Sequence, residues 1–395
     1  MNRCRICIYP DTRPDTHFVD GVCSACRSYA ADNAVDWDAR LTALNSLLQE
    51  ARAKGAPYDC VVPVSGGKDS TYQVIKLKQL GARVLAVNSG TDMLSEIGRR
   101  NLDNLKRLCD VIEVTPNVEI RKRLVRIGLE RIGDMSWPEH LAIWSIPTRI
   151  AVALGIPLVV WGEQPQREYA TPEGVVPATR LDARWVAEFG GLNGLRPQDL
   201  VDEGLFSAAD LAAFRFPSDA EMEAAGVQGI WLGDYIRWDG WKNALIAQAH
   251  GFETLPGMVE GSLADYENLD NHATVLRDWL RYLKFGYSRA TDIACNHVRR
   301  GRLTRSEALA LVPDRERFPT TSLGKPIAEV LAYFGLTAGE FHRACDRWTN
   351  SSLFQVVWAT DRQMSNPALV VVKDNNGTPR WRPDARPTHH SATAE

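Results

Sequence analysis

From residue 58 the chain alternates short apolar runs with longer stretches of helical periodicity. Residues 58–64, 83–87, 111–114 and 157–161 read as buried strands, and 71–80, 93–109, 119–132 and 139–154 as the helices around them. A fifth strand is expected over 228–232 and a helix over 240–250. Strands separated by helices of about ten residues or more form parallel βαβ units, so the fold class is α/β with a doubly wound parallel sheet. Before the sheet, Trp37, Leu41, Leu44 and Leu48 recur at helical spacing over 36–54, and Gly55-Ala56-Pro57 ends that helix. Residues 166–226 are rich in Pro and Gly and read as an insertion or lid, and 262–365 as mainly helical. The division expected is 1–35, a connecting helix 36–55, the sheet domain 56–250, a helical C-terminal region 251–372, and a polar, Pro-rich flexible tail 373–395.

Composition narrows the function classes. Basic and acidic residues number 46 and 49, a balance that argues against a surface built to wrap nucleic acid. No run reaches the roughly 20 apolar residues of a membrane span, and no apolar core follows Met1-Asn2-Arg3-Cys4. A cytoplasmic protein is expected.

The first strand runs into Ser65-Gly66-Gly67-Lys68-Asp69-Ser70, and a helix follows. Two glycines let backbone N–H groups approach an anion, and the next helix aims its positive end at the same place. Ser65 and Ser70 add hydroxyls and Lys68 a charge; the spacing is not that of a Walker A loop. It is similar to the SGGxDS signature of PP-loop ATP pyrophosphatases (adenine nucleotide alpha hydrolase-like fold), which cleave ATP between the α and β phosphates. Asn88-Ser89-Gly90 and Gly162-Glu163-Gln164 follow two other strands. In that class the backbone at Asn88 and Ser89 passes beside adenine. Glu163 is either a loop charge or, paired with Asp69, a Mg²⁺ ligand; Lys68, Asp69 and Glu163 are the candidate catalytic groups.

Half of the eight cysteines lie in the first thirty residues. Cys4-x2-Cys7 and Cys23-x2-Cys26 have the spacing of a zinc ribbon, a closed set of four thiolates suited to a structural Zn²⁺. Cys60 and Cys109 read as core.

Beyond the loop, nearly the whole chain resembles the N-acetyl sugar amidotransferase family of bacterial surface-glycan pathways, which includes the pseudaminic and legionaminic acid amidotransferases. The resemblance rests on the double CxxC, Val64 to Ser70, Trp161-Gly162-Glu163 and Leu232-Gly233-Asp234-Tyr235-Ile236-Arg237-Trp238-Asp239. It continues through Tyr266-Glu267-Asn268-Leu269-Asp270 and from Leu283-Lys284-Phe285 to Thr291-Asp292. Gln164 departs from it, where Asn is expected.

The resemblance implies that ATP activates the N-acetyl oxygen of a nucleotide-linked or acidic sugar, and that ammonia then gives an acetamidino group. It implies ATP, Mg²⁺ and Zn²⁺ as cofactors. It also implies a separate glutaminase and a (β/α)₈ barrel partner similar to imidazole glycerol phosphate synthase. No cysteine here sits in a glutaminase elbow, so ammonia is expected from outside the chain. An anionic substrate needs cations, and Arg237, Lys242, Lys284 and Arg289 are the candidates within the family-like segments. Trp231, Trp238 and Trp241 either stack on a sugar or pack the core, and Glu267 and Asp270 are candidate proton acceptors. A tRNA-modifying ligase of thiolation or lysidine type is the alternative.

Overall fold

A computed structural model of the chain describes residues 1–13, 16–169, 181–358, 370–373 and 379–380. Cys60–Pro63 (β1), Val84–Asn88 (β2), Asp110–Glu113 (β3), Leu158–Trp161 (β4) and Gln228–Trp231 (β5) form one all-parallel sheet in the order β3-β2-β1-β4-β5. The central strands read as unbroken apolar runs because both faces are covered. Val61, Val87 and Val159 face Val118–Ile132 (α4) and Trp137–Leu154 (α5). Cys60, Val62, Ala86 and Val160 face Trp37–Ala53 (α1), Lys68–Gln79 (α2) and Glu96–Leu105 (α3). Alternate residues of one strand thus feed two cores.

Trp231 is fully buried among Trp144, Trp161 and Trp185, and Trp238 packs edge-on to Tyr72. Both are core residues. Trp241, on Gly240–Gln248 (α6), stays exposed with the Arg302 guanidinium over its ring.

Residues 181–226 carry the short helices Ala183–Phe189, Pro197–Asp202 and Asp219–Ala224, whose Trp185, Val186, Leu200 and Met222 join the α5 side of the sheet core. Residues 170–180 of the expected insertion lie outside the described residues. Farther on, Thr274–Phe285 (α7), Arg289–Arg299 (α8) and Ala338–Trp348 (α9) build the C-terminal region. Tyr287 does not continue the apolar face of α7. Gly286, at φ +71°, ends that helix and turns Tyr287 toward the N-terminal cysteines. Beyond α9, Gln355–Trp358, Val370–Lys373 and Pro379–Arg380 pair as an antiparallel sheet. Of the tail expected from Lys373, residues 374–378 and 381–395 lie outside the described residues.

The N-terminal cysteine segment packs on α8, where Ala290, Ala294 and Cys295 meet Cys4, Cys7 and Cys26. The Tyr9 and Tyr287 hydroxyls, 2.8 Å apart, join the N-terminal segment to the turn after α7. No helix among the described residues is long and apolar enough to cross a membrane.

Candidate functional site

The strand order reverses beside β1, and the crevice at such a switch point is where open parallel sheets take their ligands. The segment Ser65 to Ser70 lies there, leading from β1 into α2, while the neighbouring β4 ends in Gly162-Glu163. Gly66 has φ +86°, and a Cβ on it would meet the Leu102 backbone nitrogen at 3.0 Å. Only glycine fits. Gly67 caps α2, its N–H donates to Ser65 Oγ at 3.2 Å, and the Ser70 and Thr71 hydroxyls donate back to its carbonyl. Asn88 holds the neighbouring strand end: its Nδ2 donates to Val64 O at 2.7 Å and its Oδ1 accepts from Gly90 N. The Ser89 carbonyl is held by the buried Arg121.

Lys68 is buried at the start of α2, with its ammonium 2.5 Å from Asp69 and 2.6 Å from Glu267. Burial alone would favour the neutral amine, but these two carboxylates hold its pKa well above the usual lysine value. The other Asp69 oxygen accepts from Asn243 Nδ2 at 2.9 Å. Asn243 lies in the first turn of α6, whose N-terminus abuts the loop, since a Cβ on Gly240 would lie 3.4 Å from Lys68 Cε.

Segment 266–271 lies across the loop. The Lys68 ammonium sits 5.6 Å from the centroid of Tyr266, and Ser65 hydrogen-bonds the Asp270 carboxylate. Gly98 leaves room for this crossing: a Cβ there would stand 2.6 Å from the Asp270 Cα. Burial, reinforced by the Glu139 charge, pushes Asp270 up to about 6. Asn271 in turn donates to Thr91 and Glu139.

Glu163 is pushed up to about 7, first by burial and then by the Asp69 charge, so these two carboxylates share one electrostatic environment. At Gly162 a Cβ would meet Gln73 Nε2 at 2.7 Å, which keeps the end of β4 tight against α2. Gln164 is buried and bonds the Asp234 carboxylate.

From Glu163 a cavity of about 500 Å³ extends toward the C-terminal region. Lys284 and Arg289 line it, whereas Arg237 and Lys242 are not among its walls. Arg237 is exposed, over the Tyr29 ring with Nη2 2.7 Å from Asn33, and Lys242 points to solvent from α6. Arg13, Arg277 and Arg281, not anticipated from the sequence, also face the cavity. The signal was available for two of them: Arg277, Arg281 and Lys284 recur at four- and three-residue spacing, opposite the apolar positions of α7.

The four N-terminal sulfurs lie within 4.8 Å of one another, with Cys4 to Cys26 at 3.9 Å and Cys7 to Cys23 at 3.7 Å. Thiolates about 2.3 Å from a tetrahedral ion stand about 3.8 Å apart, so the cluster has the size of a metal site. The backbone supports it: Tyr9 N and Cys23 N each donate to a cysteine sulfur at 3.4 Å. Arg305 Nε reaches the carbonyls of both Cys4 and Cys7.

Together these features define a parallel α/β protein with a glycine-containing loop at its switch point, a cavity lined by several cations beside Glu163, and a four-cysteine cluster. Residues 260–364 match the family model described as LPS biosynthesis protein WbpG-like, C-terminal domain. No curated protein matches the chain. The matched segment carries Tyr266, Glu267, Asp270 and Asn271 over the loop and Arg277, Arg281, Lys284 and Arg289 around the cavity.

Proposed function

We propose that the chain is an ATP-dependent, AMP-forming amidotransferase that turns the N-acetyl group of an anionic sugar into an acetamidino group, in the biosynthesis of a bacterial surface polysaccharide. The similarity of residues 260–364 to the LPS biosynthesis protein WbpG-like domain supports the pathway. The reaction is supported chiefly by one observation: Ser65 to Ser70 sits at the switch point, and the Asp69 charge acts on Glu163, which lines the adjoining cavity.

In this reading the amide oxygen attacks the α phosphorus and pyrophosphate leaves. Ammonia then adds to the imidoyl carbon, and AMP departs carrying the former amide oxygen. Adenylation is needed because an amide oxygen is otherwise a poor leaving group. The loop N–H groups, the Ser65 and Ser70 hydroxyls and Lys68 would bind the phosphates, with Asn88, Ser89 and Gly162 framing the nucleotide. Lys68 must then exchange a carboxylate for phosphate oxygens, which its two partners allow. Asp69 and Glu163 would hold Mg²⁺, which supplies charge neutralisation on the departing pyrophosphate. Their fit is electrostatic, since Glu163, raised by burial and then by the Asp69 charge, would be relieved by a cation between the two carboxylates. Asp270, with its pKa near 6, suits a group that accepts a proton from ammonium. The cysteine cluster would hold a structural Zn²⁺. Ammonia would come from a separate glutaminase through a barrel-shaped partner.

The test is an incubation of the protein with ATP, ammonium and a panel of nucleotide-linked and acidic N-acetyl sugars. AMP and pyrophosphate released only with the right sugar support the reading; release of ADP, or sugar-independent hydrolysis alone, opposes it.

A further inference from the structure

Among the described residues, cations outnumber carboxylates on the walls of the cavity beside Glu163. Its walls include the cations Arg13, Arg277, Arg281, Lys284 and Arg289 against the carboxylates Asp134, Glu163 and Asp292. Two of the cations are closely matched. Arg281 forms a two-pronged pair with Asp292, and Arg289 approaches Asp278 at 3.5 Å. Arg277 stands farther from its nearest carboxylate, 3.7 Å from Asp134, too long for a hydrogen bond.

Lys284 has less. Its ammonium donates to the Ile132 carbonyl at 3.2 Å and otherwise faces the rings of Phe285 and Trp348 at 5.7 and 5.9 Å. No carboxylate lies within ion-pair distance of it among the described residues. Burial and the surrounding Arg277, Arg281 and Arg13 pull its pKa below the usual lysine value, with Asp134 opposing. A desolvated ammonium among guanidiniums is stabilised by an incoming anion far more than a surface lysine would be.

We infer that this cavity is an oxyanion site, in which Lys284 and Arg277 together take a carboxylate or phosphate of a small molecule whose other end reaches Glu163. Arg281 and Arg289, already neutralised, shape the wall. The volume, about 500 Å³, lies within the range of small-molecule sites and exceeds what a lone inorganic anion needs. Calling the ligand a sugar rests on the proposed function; the anion site does not.

The experiment is calorimetric binding without ATP, using uridine diphosphate N-acetylglucosamine, N-acetylneuraminate and neutral N-acetylglucosamine as probes. Proteins are the wild type, Lys284→Met, Arg277→Gln and the surface control Lys242→Met. A non-hydrolysable ATP analogue is titrated separately to report the loop. At least one charged probe should bind the wild type and Lys242→Met equally and more tightly than the neutral sugar. Lys284→Met and Arg277→Gln should each weaken it tenfold or more, with analogue affinity within about twofold of wild type. The two charged arms separate a diphosphate ligand from a carboxylate ligand. Charged probes that bind no better than the neutral one, or equally to Lys284→Met, overturn the site. Failure of the amidotransferase reading would appear instead as absent AMP formation with this binding pattern intact.

Discussion

The Lys68 ammonium lies 2.6 Å from the Glu267 carboxylate, joining the loop after the first strand to the segment similar to the WbpG-like domain. The two residues are distant in sequence, so the loop is completed only once the C-terminal region has folded over it. Lys68 is the shared cation of Asp69 and Glu267, and removing it leaves two carboxylates facing one another.

Lys68→Met should therefore destabilise the fold by about 3 kcal/mol, as expected when a buried pair loses one partner. Adding Glu267→Gln should restore much of that stability but none of the nucleotide affinity. Denaturant melts combined with titration of an ATP analogue separate the two effects.

Asp69→Asn and Ser65→Ala should keep the fold and lower turnover by ~10²–10³, the usual cost of losing a group that stabilises developing phosphate charge. Single-turnover release of pyrophosphate measures it. Normal turnover by Asp69→Asn would exclude Asp69 from the reaction.

Glu163 gives a pH signature. Its pKa is raised from about 4.5 to about 7 in the fold, so the folded state holds an extra proton between those values. Its contribution to stability is complete below pH 4.5 and is lost as pH rises through about 7. Without Mg²⁺, the melting temperature should fall over that window more steeply for wild type than for Glu163→Gln. Mg²⁺ affinity should rise across the same window in wild type only. Parallel melting curves for the two proteins would contradict both statements.

Purified protein should contain about one Zn²⁺ per chain, measured by elemental analysis. Cys4→Ser or Cys23→Ser should lose the metal and loosen the Tyr9–Tyr287 contact, read as increased hydrogen exchange around Tyr287. A metal-free wild type with intact packing would rule the site out.

Much of this arrangement was legible along the chain. The central strands are apolar runs, the loop is contiguous, and four cysteines repeat a spacing. Contacts made by distant segments were not. Asn243 reads as an ordinary helical amide, and nothing local tells that it reaches Asp69. Tyr266 to Asn271 lacks a periodic pattern, since its register is set by Ser95, Gly98 and Ser65 rather than by its own sequence. Charges on α7 resemble a solvated face until the insertion side and α8 close over them. Arg237 and Lys242 were indistinguishable from Lys284 and Arg289 as bare cations, because burial belongs to the fold and not to the residue type.

The most direct measurement of the central claim uses an N-acetyl sugar substrate labelled with heavy oxygen in the acetyl carbonyl, with ATP and ammonium. Mass spectrometry should find the label in AMP and a sugar lighter by the difference between O and NH. Label retained by the sugar, or released into water or pyrophosphate while AMP stays unlabelled, would contradict activation of the amide oxygen by adenylation.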